Sequence, residues 1–172
     1  MMMLVRRCVL LTAGIFMLAL ASCAPKDDER ALRELVEKAA LLGEKHDIGG
    51  IIDLTTEDFR AMPGDMDRKG AKRILFMAFA HYGELKVVHP IPNVDLETGK
   101  GGPWVSVPFM IVKKGRTLPE LKELYNDPRG WVEKVGEKAD LYRFKLSVVK
   151  MKGDWLVKRA YLEKFSGTGF GR

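Results

Sequence analysis

Apolar residues recur at steps of three and four from Leu32 through Leu35, Val36 and Ala39 to Leu42. That spacing is one stripe of an amphipathic helix of about four turns. Asp27 or Asp28 is the expected N-cap, and Asp28-Glu29 puts negative charge in the first turn, where the helix dipole favours it. Glu34 and Lys38 are placed for an i,i+4 pair on the wet side, and Gly43 lies near the end. Ile48 to Leu54, apolar but broken by Gly49-Gly50, reads as a short helix or turn. Thr55 to Asp58 is rich in capping side chains, Phe59 to Met62 reads as a short strand, and Pro63-Gly64-Asp65 is a turn signal. Asp67 is placed to cap a third helix. Ala71, Ile74, Leu75, Ala78 and Tyr82 form its stripe. Phe76, Met77 and Phe79 widen that stripe, so the C-terminal half is expected to be buried on more than one side.

After Gly83 the period changes from 3.6 to 2. Leu85, Val87 and Val88 open a strand disturbed at Pro90 and Pro92, which marks an edge or a bulge. A glycine-rich turn, Gly99-Lys100-Gly101-Gly102, precedes Val105, Val107, Phe109 and Ile111, which alternate with Ser106, Pro108 and Met110. Tyr142, Phe144, Leu146 and Val148 alternate with Arg143, Lys145 and Ser147. Lys152-Gly153-Asp154 turns the chain back into Trp155 to Leu162. One apolar and one polar face per strand marks antiparallel pairing. Between these strands, residues 116–139 are not β-like. Leu118-Pro119-Glu120 starts one short helix, and Asp127-Pro128 starts another with Asp as cap and Pro in the first turn. Helices first and antiparallel strands after them make an α+β domain.

The N-terminus carries a different pattern. Arg6 and Arg7 precede an apolar run from Val9 to Ala21, and Leu20-Ala21-Ser22-Cys23 closes it with small residues beside a cysteine. The order of basic, apolar and small residues is that of a secretory signal. The run is about a dozen residues, whereas a membrane-spanning helix needs about 20. An uncleaved anchor helix and an ordinary signal cut elsewhere are the competing readings. The ending resembles the lipobox of bacterial lipoproteins. That resemblance implies removal of residues 1–22, acyl chains on Cys23, a short tether over 23–27 and stable membrane attachment. Each buried CH₂ contributes about 0.8 kcal/mol, so several chains hold firmly where one does not. Ala24, not Asp, follows the cysteine, which by the same resemblance favours the periplasmic face of the outer membrane in a Gram-negative envelope.

Composition narrows the chemistry further. The chain has 172 residues and two cysteines, Cys8 and Cys23, so the domain after the signal has no thiol to pair, to bind metal or to act as nucleophile. His46, His81 and His89 are widely spaced and make no metal signature, and no cofactor motif is present. Without Arg6 and Arg7 the excess of basic over acidic residues falls from six to four. That mild surplus suits anionic headgroups or cell-wall polymers, with a well-solvated surface as the plainer reading. A nucleic-acid partner does not fit an exported protein. Lys113, Lys114 and Arg116 form the densest basic run, read as a solvated hairpin end.

Three stretches sharpen the fold: His46 to Phe59, with its apolar patch leading to an acidic-aromatic step; Lys69-Gly70-Ala71-Lys72-Arg73-Ile74-Leu75; and Phe144 to Lys158, with Trp155 after a glycine-containing turn. In that order they resemble the NTF2-like (cystatin-like, ketosteroid-isomerase-type) superfamily over residues 28–165. The resemblance implies N-terminal helices packed in a strongly curved antiparallel sheet, a cone whose open end is often a pocket. The helical insert at 116–139 departs from the usual short connection, and 166–172 is read as a flexible tail. The cone serves enzymes, ligand binders and interaction modules alike, so fold does not give function.

An enzyme on this cone needs a carboxylate or histidine base in an apolar pocket facing a hydrogen-bond donor. Asp58, His81, Tyr82, His89 and Tyr142 are the available pieces, and His81 with Tyr82 is the most suggestive pair. The plainer reading is a helix-end histidine partly in water beside a tyrosine packed on the core, with His89 facing solvent. Trp104, Trp131 and Trp155 are candidates to line a pocket or a partner surface, as is Tyr142, with core packing the default for each Trp; Trp131 in the insert is the exception, placed to cover the cone mouth or dock a partner. The sequence therefore favours a non-catalytic envelope domain that binds a protein partner or small apolar ligand, and is compatible with a homodimer. An envelope enzyme of the isomerase or dehydratase type is the alternative.

Overall fold

The computed structural model describes residues 24–97, 102–113, 115, 123, 126–127, 130, 134–135 and 139–164. The signal segment, Cys23, Trp131, Lys114, Arg116, most of the glycine-rich turn and the tail lie outside the described residues.

Helix α1 (Ala24–Glu44) forms where the three-and-four spacing predicts it, and is 21 residues long. It already passes through Asp27 and Asp28, so neither caps it. Asp28 instead accepts hydrogen bonds from Lys150 Nζ (2.5 Å) and Trp155 Nε1 (3.2 Å). Glu34 pairs with Arg30 at 2.9 Å, one turn back instead of one turn on at Lys38, and Glu29 pairs with Arg33. At the far end Glu44 Oε1 accepts from the Val87 backbone N–H at 2.9 Å. Both ends of α1 are thereby pinned to the sheet. Short helix α2 (Ile48–Asp53) follows, capped by Asp47, which accepts from the Gly50 N–H.

Strand β1 (Thr55–Met62) takes in the threonines read as caps: Thr56 is buried beside Phe59, so the run is strand from its start. Helix α3 (Arg68–Tyr82) is capped by Asp67 as expected, with the Gly70 N–H donating to Asp67 Oδ1 at 2.7 Å. Then come β2 (Leu85–Val88), β3 (Asn93–Asp95), β4 (Trp104–Lys113), β5 (Ala139–Met151) and β6 (Asp154–Lys164).

These make one curved six-stranded sheet in the order β1-β6-β5-β4-β2, with β3 also on β4. Strands β2 and β3 share the β4 edge on either side of Pro90 and Pro92, the edge position that proline imposes. Four pairings are antiparallel; β1 runs parallel to β6, the one departure from the antiparallel expectation. Parallel neighbours need a long crossover, and here almost the whole domain lies between the two strands. The β5–β6 hairpin turns through Lys152 (φ 53°) and Gly153 (φ 97°), the two positive values of a type I′ turn. Further along, its register shifts between Ser147 and Val148, a bulge of the kind that bends a ladder.

Leu32, Leu35 and Val36 of α1 pack on Val105, Val107, Val148, Val157 and Ala160 of the sheet. Burying those three helix side chains contributes on the order of 6 kcal/mol before chain entropy is subtracted. A second cluster, Met110, Val112, Ala139 and the fully buried Val135, lies on the opposite, outer face, because even positions of β4 point away from the helices.

The third helix differs most from expectation. Ala71, Leu75, Ala78, Phe79 and Tyr82 turn inward, but Ile74, Phe76 and Met77 are 42%, 66% and 56% exposed. Its C-terminal half is buried on one side only. It packs on α2 and β1, and no further layer covers its other side among the described residues.

Candidate functional site

The period-2 register of β4 and β5 puts Val107, Phe109, Ile111, Asp140, Tyr142 and Phe144 on the helix-facing side, with Phe109 opposite Tyr142 and Ile111 opposite Asp140. The C-terminus of α3 ends over this end of the sheet. The Tyr82 hydroxyl donates to Asp140 Oδ2 at 2.7 Å and lies 3.3 Å from the Tyr142 hydroxyl. Lys113 Nζ lies over the Tyr82 ring, 5.5 Å from its centroid. Phe109 stacks on Phe144 at 4.7 Å with planes 8° apart, and on Tyr142 at 5.7 Å. The result is a Tyr–Asp–Tyr group with an aromatic floor at the wide end of the sheet.

Burial, followed by the hydrogen bonds with Tyr142 and Asp140, raises the Tyr82 pKa well above the usual tyrosine value. The phenol stays protonated and acts as a donor. Phe109 is buried, 8% exposed, against the rings of Phe144 and Tyr142.

Of the residues singled out in the sequence, Tyr82 and Tyr142 meet here. His81 does not join them through a hydrogen bond: it is exposed, and its ring meets the Tyr82 ring edge-on at 5.0 Å. Asp58 is exposed on β1, within 3.6 Å of Lys158, and its pKa is lowered, chiefly by a hydrogen bond with Thr56. A carboxylate so held is an acceptor in water, away from Tyr82. His89 is not solvent-facing. Its side chain is 11% exposed, with Nε2 at 3.4 Å from Glu37 and Nδ1 at 2.9 Å from the Pro90 carbonyl. Trp104 occupies an even position of β4, on the outer face, tilted against Tyr161 at 5.8 Å. It therefore does not line the cone. Trp155 packs against the core and donates to Asp28.

Trp131, the insert residue placed to cover the cone mouth or dock a partner, lies outside the described residues. Val135 of the same insert packs on the outer face with Met110, Val112 and Ala139. Asp127 does cap as expected, accepting from the Gly130 N–H at 3.0 Å.

Two site residues escaped the sequence reading. Asp140 is in phase with Tyr142 and Phe144, a signal that was present but hidden by placing the insert boundary at 139. Lys113 was counted in a basic run, whereas its odd position on β4 puts it on the helix-facing side. Among the described residues no three His, Cys, Asp or Glu side chains are grouped to hold a metal ion.

A second surface lies between α2 and α3. It is an open groove lined by Ile48, Lys72, Arg73, Phe76 and Met77. The groove is apolar in its floor and basic at one rim.

No protein-family model matches the chain, and no curated protein matches it in sequence. Solved structures do match in fold. Bd1075 of Bdellovibrio bacteriovorus aligns with TM-score 0.57 and 16% identity over 81% of this chain, which spans 41% of that longer protein. A proposed scytalone dehydratase of Novosphingobium aromaticivorans aligns with TM-score 0.57 and 14% identity, covering 84% of this chain and 94% of that one. A protein of unknown function with a cystatin-like fold from Nostoc punctiforme aligns with TM-score 0.57 and 10% identity, covering 79% and 90%. The chain thus has an α+β, cystatin-like fold, with helices against a curved, unclosed sheet.

Proposed function

We propose that this chain is a lipid-anchored envelope protein whose cone is a non-catalytic domain that binds a protein partner or a small apolar ligand. The observation that carries the non-catalytic part of this reading is the packing at the Tyr82 end of the cone. Phe109 lies flat between Phe144 and Tyr142, and the Tyr82 hydroxyl is committed to Asp140. A general base needs a free lone pair aimed at a space where substrate sits. His81 and Asp58, the bases read from the sequence, both face water instead.

The anchor reading is supported by Leu20-Ala21-Ser22-Cys23 behind Arg6 and Arg7. It is tested in the mass of the mature chain. Acylation adds the mass of the lipid at Cys23, and Cys23→Ser abolishes both that increment and the N-terminal hold on the membrane. A Cys23→Ser chain that still fractionates with membranes through its N-terminus sinks the lipobox reading. Crosslinking of the anchored protein in its own envelope reads the other half. The absence of both a defined adduct and a co-purified apolar molecule would refute the binding reading.

The second reading is an envelope enzyme of the dehydratase type. It is favoured by one observation, the Tyr82–Asp140–Tyr142 group on the helix-facing side, together with the dehydratase named among the fold's neighbours. In that reading Tyr82 donates a hydrogen bond to a substrate oxygen in place of Asp140. Turnover of a phenolic or hydroxy-ketone substrate that vanishes in Tyr82→Phe while binding persists would select it over the binding reading.

A further inference from the structure

The outward side of α3 is one unbroken stripe. Lys69, Lys72, Arg73, Phe76, Met77 and Ala80 follow each other at steps of three and one, and all six are exposed. The stripe is basic toward the helix N-terminus and apolar toward its C-terminus, and Ile74 adds a further exposed apolar side chain beside it. The helix holds no acidic residue from Arg68 to Tyr82. Nearby carboxylates are spoken for at its N-terminal end: Asp53 lies 3.5 Å from Arg68, and Asp67 caps the helix under the charges of Arg60 and Arg73. Lys72 and Arg73 lie beside Phe76 and Met77, and with Ile48 these residues line the groove.

We infer that this face of α3 docks on an anionic lipid surface. Charge complementarity selects that occupant. An anionic leaflet meets both halves at once: phosphate headgroups take Lys69, Lys72 and Arg73, while Phe76 and Met77 enter the acyl boundary below them. Basic residues flanking an exposed Phe are the chemistry of helices that lie in the membrane interface. Long basic side chains reach back to the headgroups from that depth.

The inference deepens the membrane reading above and rests on it. Helix α1 has 21 residues and so is about 31 Å long at 1.5 Å per residue. Its N-terminus adjoins Cys23, and its C-terminus leads through His46, stacked on Phe79 at 4.6 Å, to α2 and α3. The anchor and the α3 stripe are therefore held at opposite ends of α1. One flat bilayer meets both when α1 lies along it. Tethering at one end and docking at the other would fix which side of the cone faces away from the membrane.

The test uses the full chain reconstituted in vesicles, either of phosphatidylcholine alone or with phosphatidylglycerol added, and reads amide hydrogen exchange. On anionic vesicles exchange across residues 72–82 slows on the order of tenfold, the protection given by a ligand at about ten times its dissociation constant. On neutral vesicles it does not change. Lys72→Gln with Arg73→Gln removes the difference, because each basic residue near an anionic leaflet is worth about a fivefold change in partition. Phe76→Ser with Met77→Ser also removes it. Both pairs are exposed, and unchanged exchange in β5 and β6 verifies that the variants are folded. Equal exchange on the two vesicle types, or a difference that survives both double substitutions, overturns the inference; the former returns the face to an acidic protein partner. The anchor is read separately. A chain whose mass shows no acyl group on Cys23 fails the anchor reading, while α3 protection is still measured on added anionic vesicles.

Discussion

Replacing Phe109 by Ala removes the side chain that fills the cone mouth. The ring is 8% exposed and makes two stacked contacts, with Phe144 at 4.7 Å and with Tyr142 at 5.7 Å. Burying and then deleting a phenylalanine costs about 3–5 kcal/mol when the walls do not collapse. Phe109 lies at the rim of the main core, so Phe144 and Tyr142 have room to close partly on the gap, and the low end, about 3 kcal/mol, is expected. In a domain of this size that lowers the melting midpoint by roughly 6–12 °C. It moves the urea midpoint by about 1–2 M, with the slope unchanged. Phe109→Leu should lose less, since most of the volume stays. The opened space is lined by aromatic rings and should admit an apolar molecule of benzene size, as engineered apolar cavities do. Added ligand of that kind then restores part of the lost stability in Phe109→Ala, and raises the variant's melting midpoint by more than the wild type's. A loss below about 1 kcal/mol would show that Phe109 is a mouth residue over an existing space. The filled-cone argument for a non-catalytic domain would then fall.

Tyr82→Phe removes the donor to Asp140, and a net cost of about 1 kcal/mol is expected. Because the folded state raises the Tyr82 pKa, its contribution is complete below the unfolded value near 10 and is lost as pH climbs past it. The wild-type advantage over Tyr82→Phe in thermal melts should therefore be flat from pH 6 to 9 and shrink only above about pH 10; a change at neutral pH contradicts the assignment. Asp28→Asn tests the clamp between α1 and the β5–β6 hairpin. The hydrogen bond from Lys150 holds the Asp28 carboxyl below the usual carboxylate pKa, so its contribution is present above pH 4 and lost as pH falls through the folded value. The Asn variant should show a shallower acid limb in melts between pH 5 and 2, and an identical limb would dismiss the clamp.

The sequence determined whatever depends on period and on local hydrogen bonds. The 3–4 stripe of α1, the caps Asp67 and Asp127, the Lys152-Gly153 turn and the alternation of β4 and β5 were all legible, because each is written within a dozen residues. So was the edge role of Pro90 and Pro92. What it misread were residues whose partner is remote. Asp28 looked like a cap because its local position is that of one, yet its partners lie more than 120 residues away on the hairpin. His89 looked solvated until Glu37 closed over it. Phe76 and Met77 looked buried because apolar side chains usually are, and only the packing of α3 on a single side leaves them in water. The candidate site was half visible. Tyr82 and Tyr142 stood out as residue types, but their meeting, and the presence of Asp140 and Lys113 beside them, depend on how the end of α3 falls across two strands far away in the chain. Local pattern sets which face of an element is apolar. Tertiary structure decides which of those faces find a cover, and among the described residues the outward face of α3 is left open.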